Sequence, residues 1–88
     1  MTRRRVVVHG HVQGVFFRDG VRERAQARGL AGWVRNRDDG AVEAVFEGTE
    51  EDVEALVRFC REGPGSADVE RVDVVDEDPL GDEGFAVR

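Results

Sequence analysis

The residues of this 88-residue chain best suited to chemistry stand together near its start, as Gly10-His11-Val12-Gln13-Gly14-Val15-Phe16-Phe17-Arg18. They follow a β-rich run, Arg5-Val6-Val7-Val8-His9, and lead into a run with helical periodicity. A turn between a strand and a helix N-terminus aims several unpaired main-chain N–H groups at one point, and the helix dipole adds partial positive charge there. Glycine lets such a backbone approach a bulky oxyanion with no Cβ in the way. Arg18 can then close on phosphate oxygens with a two-pronged guanidinium. Together these features describe an oxyanion site suited to phosphate. The segment is neither a Walker loop, which needs Gly-Lys-Ser/Thr, nor the dinucleotide fingerprint with its three spaced glycines. Taken by themselves the residues leave a second account open, with the glycines as ordinary turn chemistry and Arg18 as a solvated side chain.

The elements that must position this segment can be read along the chain. A first strand is expected over about Arg4–His9. A helix from about Phe17 to Arg28 places Phe17, Val21 and Ala25 on one face and ends at Gly29 in a left-handed cap. Gly32-Trp33-Val34-Arg35-Asn36 reads as a second strand, Arg37-Asp38-Asp39-Gly40 as a turn, and Ala41–Glu47 as the returning strand of a hairpin. In that strand Val42, Ala44 and Phe46 share one face and Glu43 and Glu47 take the other. Thr49 is a natural N-cap for a second helix, with Asp52 three residues on and Val53, Leu56, Val57 and Cys60 on one face. Gly63-Pro64-Gly65 stops it. Val69–Val75 is a fourth strand, and Gly84–Arg88 adds a short edge strand through Phe85 and Val87. The order β-α-β-β-α-β predicts an α+β, ferredoxin-like sandwich, an antiparallel sheet with two helices packed on one face. Residues 1–88 form one domain of this kind. The fold itself hosts enzymes, regulatory modules and RNA binders.

Composition narrows the classes. The net charge is −6, and all 13 basic residues are arginine. Nine of them fall within residues 1–37, opposed only by Asp19 and Glu23. This basic half coincides with the oxyanion segment and is expected to steer a negatively charged small substrate, while the acidic remainder equally serves solubility. No apolar run is long enough to span a membrane, and no signal peptide is visible, so a cytoplasmic location is expected. Cys60 is the only cysteine, which excludes an internal disulfide and a cysteine-based metal cluster. Its place on the apolar helix face makes it a core residue. Asp38 and Asp39 lie in a tight turn that points them to solvent rather than at a metal.

Two motifs resemble the acylphosphatase family. One is Gly-x-Val-Gln-Gly-Val-x-Phe-Arg, matched from Gly10 through Arg18. The other is Gly-Trp-Val-Arg-Asn at Gly32–Asn36, followed by Gly40, Val42 and Gly48. The likeness extends over nearly the whole chain, to Phe85 and Arg88 in a final Phe-x-x-Arg. The resemblance implies a hydrolase without metal or other cofactor that splits acyl phosphates into a carboxylate and inorganic phosphate. It implies that Arg18 binds the phosphoryl group with main-chain N–H groups of Gly10, His11, Val12, Gln13, Gly14 and Val15, and that Asn36 orients the attacking water. The division of labour is physically sound. Phosphoryl transfer through a loose transition state mostly needs positioning and charge stabilisation, and a carboxylate leaves without a general acid. A carboxamide can accept one water proton and leave the lone pair aimed at phosphorus. His11 falls at a variable motif position on the loop rim, where exposure to solvent is expected, and His9 has no assigned role.

Rival readings remain on the same fold. A four-stranded RNA binder would cluster aromatics on its two central strands, a pattern not seen here, and would not be expected to carry a charge of −6. Acylphosphatase-like domains also stand at the front of a larger carbamoyl-transfer maturation enzyme. A member that binds phosphate without turnover is a further alternative. The expectation adopted is a free-standing monomeric enzyme with an acyl phosphate substrate, phosphate or sulfate as competing anions, and no nucleic-acid or membrane partner.

Overall fold

A computed structural model describes all of residues 1–88. The elements run β1 (Thr2–His11), α1 (Phe17–Ala27), β2 (Ala31–Asn36), β3 (Val42–Gly48), α2 (Glu50–Glu62), β4 (Asp68–Glu77) and β5 (Phe85–Val87). Strand alternation decides what each sheet face carries. Val6 and Val8 of β1, Val34 of β2, and Val42, Ala44 and Phe46 of β3 face the helices and are buried. Val21 and Ala25 of α1 and Val53, Leu56 and Cys60 of α2 close the core from the other side. Gly29 adopts the expected left-handed conformation after α1 (φ +67°). At the start of α2 the Thr49 hydroxyl oxygen accepts from the Asp52 N–H at 3.4 Å and donates its own proton to Asp52 Oδ2 at 2.9 Å.

The sheet order is β4-β1-β3-β2-β5. β1 pairs antiparallel with β3 and β4, and β2 antiparallel with β3, but β5 lies parallel to β2 through Gly32–Phe85 and Val34–Val87. The expected purely antiparallel sheet is therefore mixed. The cause is the connector at residues 78–84. It leaves the C-terminal end of β4, passes the start of β1 and the end of β3, and must enter β5 from that same end.

Two of the expected strands, β1 and β4, prove longer than their expected bounds. β1 begins two residues early, at Thr2, and β4 runs to Glu77. Three consecutive arginines look unsuited to a strand until their partners across the sheet are known. Arg3 is 4% exposed and binds Glu47 (3.2 Å), Glu77 (3.1 Å) and Asp82 (2.8 Å). Arg5 pairs with Glu77 at 2.7 Å and with Glu43, which Arg35 also holds at 2.7 Å. Glu43 and Glu47 do occupy the face away from the helices, yet that face is not open, and both are buried.

Glu47 accepts two further hydrogen bonds, from the N–H groups of Leu80 (2.7 Å) and Gly81 (2.9 Å). It thereby fastens the connector to β3. The Leu80 N–H does most to hold this carboxyl below the usual glutamate range, helped by Arg3 and Gly81 and opposed by desolvation. A depressed folded-state pKa stabilises the fold above the unfolded pKa, and that stability is lost as pH falls through the folded value. Glu47→Gln is expected to lower stability at neutral pH by about 2 kcal/mol, a fall in Tm of about 10 °C for a domain this small. It should also flatten the loss of stability below about pH 4.3, the ordinary glutamate pKa. Thermal melts of both proteins from pH 3 to 7 measure this directly.

Candidate active site

The site lies at the other end of the sheet, where β1 and β2 finish and α1 begins. One cavity of about 270 Å³ is lined there by Val12, Gly14 and Phe16, by Phe17, Arg18 and Asp19 at the start of α1, and by Asn36. The segment from Val12 to Phe16 is irregular, and α1 opens at Phe16 with no side-chain cap. None of the eight main-chain N–H groups from Val12 through Asp19 donates to a protein acceptor. Gly14 (φ +73°) and Phe16 (φ 63°, ψ 24°) both take positive φ on either side of Val15. Such left-handed residues wind the chain tightly and turn successive N–H groups to one side, the geometry of an anion-binding nest. Phe16 is the one non-glycine residue of the chain with positive φ, a conformation that costs an aromatic residue about 1–2 kcal/mol.

The loop is held by its side chains. Val12 and Val15 are buried in the hydrophobic core, and Ser66 Oγ donates to the Val15 carbonyl at 3.3 Å. Gln13 directs its carboxamide sideways, donating from Nε2 to the carbonyls of Arg37 (2.7 Å) and Ala41 (3.0 Å). Its side chain thus ties the loop to the turn that follows Asn36. Gly10 and His11 belong to β1, paired with Val69 and Asp68 beside a bulge at His9/Gly10. The expected Gly10–Val15 loop accordingly begins at Val12. A Cβ on Gly10 would stand 2.2 Å from the Asp68 carbonyl oxygen, so close strand approach is what requires glycine there. His11 is exposed on the rim, as anticipated.

Arg18 and Asn36 share the cavity, and neither is spoken for. Arg18 is half-buried and makes no ion pair or hydrogen bond, in contrast with Arg3, Arg4 and Arg5. Asn36 shares the helix-facing side of β2 with Val34 at the strand's last position, and its carboxamide bonds to no protein atom. The turn beyond it is held by other groups. Asp39 Oδ1 accepts from the Ala41 N–H at 3.0 Å, the Arg37 N–H donates to the Ala41 carbonyl at 2.8 Å, and Gln13 adds its two bonds. A turn-forming role for the Asn36 side chain has no contact to support it.

The arrangement can hold a tetrahedral oxyanion against amides and a guanidinium, beside a free carboxamide. Asp19 also lines the cavity; its position in the first helical turn suits the helix dipole, and Arg22 lies 3.6 Å away. Phe16, Phe17 and Asp19 were not expected as lining residues, although their adjacency to Arg18 was the available signal. The expected steering by the basic N-terminal half is reduced. Arg3, Arg4 and Arg5 are consumed by carboxylates toward the far end of β1.

Elsewhere the molecule offers less. No group of three or more His, Cys, Asp or Glu side chains is placed to hold a metal ion. Burial pushes the Cys60 thiol up to about 12. Trp33 packs on the outer sheet face, with the guanidinium carbons of Arg5 and Arg88 at 5.5 and 4.6 Å from its ring centroid, leaving no stacking surface like that of RNA binders. No helix is long and apolar enough to cross a membrane.

Comparisons with known proteins bear on the family and the fold. The acylphosphatase family model matches residues 4–87. An acylphosphatase of Haloarcula marismortui is 60% identical over 87 residues, covering 99% of this chain and 96% of that protein. The crystal structure of acylphosphatase from Bacillus subtilis superposes with a TM-score of 0.95 at 39% identity, covering 100% of this chain and 99% of that one. Full-length HypF, in a phosphate- and nucleotide-bound form, contains a similar unit (TM-score 0.91, 30% identity) that covers 99% of this chain but 12% of HypF. On sequence and structure alike, this chain belongs to the acylphosphatase family.

Proposed function

We propose that the chain hydrolyses acyl phosphates to a carboxylate and inorganic phosphate in the cavity between the Val12–Phe16 loop, Arg18 and Asn36. The observation that carries this is the meeting of unpaired main-chain N–H groups, an unpaired guanidinium and an unbonded carboxamide in one cavity. The amides and Arg18 hold the phosphoryl oxygens and offset the charge spread over them in a loose transition state. Asn36 accepts a hydrogen bond from a water, whose oxygen then attacks phosphorus. The bond from phosphorus to the acyl oxygen breaks, and its electron pair leaves with the carboxylate. The water's proton passes to solvent. The clamp supplies its positive charge from the chain itself, so the mechanism needs no metal or cofactor. On this reading the protein acts as a cytoplasmic monomer, phosphate and sulfate compete with substrate, and neither nucleic acid nor membrane is a partner.

Benzoyl phosphate should be hydrolysed at an undiminished rate in EDTA, with inorganic phosphate as a competitive inhibitor. A rate lost to chelation and restored by magnesium contradicts the mechanism. No turnover at all, with phosphate still bound, would leave a binding module.

Arg18→Ala should lower kcat/KM by roughly 10²-fold or more, about 3 kcal/mol, and weaken phosphate inhibition in parallel. Arg18→Lys should rescue poorly, because a point charge cannot reproduce the two-pronged contact. Near-normal turnover in the lysine variant would refute it.

Asn36→Ala should cut kcat by roughly 10²-fold while phosphate inhibition and Tm stay close to wild type, since its carboxamide supports no protein contact. Asn36→Asp keeps the shape but brings a negative charge to an anion site, so it should weaken phosphate binding as well. An Asn36→Ala protein that melts early yet turns over normally would remove Asn36 from the chemistry.

A further inference from the structure

We infer that the ring of Phe16 is the contact surface for the acyl group, so that the site favours acyl phosphates carrying an aromatic or bulky apolar group. The inference rests on the hydrolytic reading above and extends it to the leaving group. Three observations converge on this residue. Phe16 is 78% exposed, and of the exposed large hydrophobic residues (Met1, Phe16, Val75, Leu80 and Val87) it alone lines the cavity with Arg18 and Asn36. It also holds positive φ, where glycine or asparagine would sit without strain. Finally, the ring gives the core nothing in return. The neighbouring ring, Phe17, is the one that packs inward, 6.0 Å from Phe59.

A side chain that strains the backbone and stays out of the core must be accounted for outside the fold, and strain at such positions points to function. The substrate's own geometry supplies the account. Its phosphoryl end is anchored at the amides and Arg18. The carbonyl carbon and everything attached to it must then extend away from those groups, and Phe16 is the exposed apolar residue of the lining. Arg18, the amides and Asn36 are taken up by the phosphoryl oxygens and the water, and Asp19 has Arg22 nearby, which leaves the ring of Phe16 as the exposed apolar neighbour for the acyl substituent. Stacking or edge contact with an aromatic acyl group gains from this ring, and a methyl group reaches little of it. The consequence is a preference between substrates rather than a change in the chemistry.

The experiment compares kcat/KM for benzoyl phosphate and acetyl phosphate in the wild type and in Phe16→Gly, Phe16→Leu and Phe16→Trp. Dividing one substrate's value by the other's cancels any general disturbance of the loop, which would affect both alike. Relative to wild type, the benzoyl-to-acetyl ratio should fall roughly threefold to tenfold in Phe16→Gly, fall part of the way in Phe16→Leu, and persist in Phe16→Trp. A ratio unchanged in an active Phe16→Gly protein overturns the assignment while leaving the hydrolytic reading intact. A wild type that hydrolyses neither substrate overturns the hydrolytic reading, and the role of Phe16 falls with it.

Discussion

Eight consecutive main-chain N–H groups without a protein acceptor are the constraint around which this small domain is arranged. Those of Phe17, Arg18 and Asp19 are the ordinary unpaired donors of a helix start, and the five before them lie in the irregular segment that leads into it. The helix that begins at Phe17 adds its dipole to the same point. Everything around the loop serves to keep it in this unfulfilled shape. Val12 and Val15 bury their side chains in the core, Ser66 ties down a carbonyl, and left-handed residues at Gly14 and Phe16 set the winding. Gln13 then joins the loop to the hairpin that carries Asn36. The loop and the strand that ends at Asn36 are thereby joined through one side chain.

The two ends of the sheet divide the work. At the end distant from the site, arginines from β1 are matched with carboxylates from β3, β4 and the connector, and Glu47 fastens the last segment of the chain. Several of these pairs are shielded, so removing one partner leaves an uncompensated buried charge and costs more than breaking a surface pair would. At the site end the principal cation is left unpaired. The same residue type is held by carboxylates where they surround it and keeps its guanidinium free where they do not. What separates Arg3 from Arg18 is its surroundings.

Local rules read much of this from the sequence. The helices, their glycine stops and the inward faces at Val42, Ala44 and Phe46 follow from periodicity and capping, which act within a few residues. The passage from strand through turn to helix start at Gly10–Arg18 was visible for the same reason, since its parts are contiguous. What escaped the sequence depends on contacts between distant residues. Arg3 joins β1 because Glu47, Glu77 and Asp82 meet it across the sheet, up to 79 positions away. The parallel direction of β5 follows from where the connector passes. Gly10 is explained by a carbonyl on β4, and the Gln13 side chain turned out to serve the hairpin. Asn36 stands beside the turn, and that the bonds holding the turn do not use its side chain is visible only in three dimensions. Phe16 was not expected to line the cavity, because nothing in its identity announces an exposed ring on a left-handed backbone.

The central claim is that the main-chain N–H groups following β1 and the guanidinium of Arg18 together receive a phosphoryl group. A crystal structure of the protein grown in phosphate tests this most directly. The account predicts one phosphate in the cavity with Arg18 and several N–H groups of Val12–Asp19 at hydrogen-bond distance, about 2.7–3.2 Å from its oxygens, and Asn36 facing the phosphorus from the side left open for water. A phosphate bound elsewhere, with the loop N–H groups empty and Arg18 turned to solvent, would contradict it.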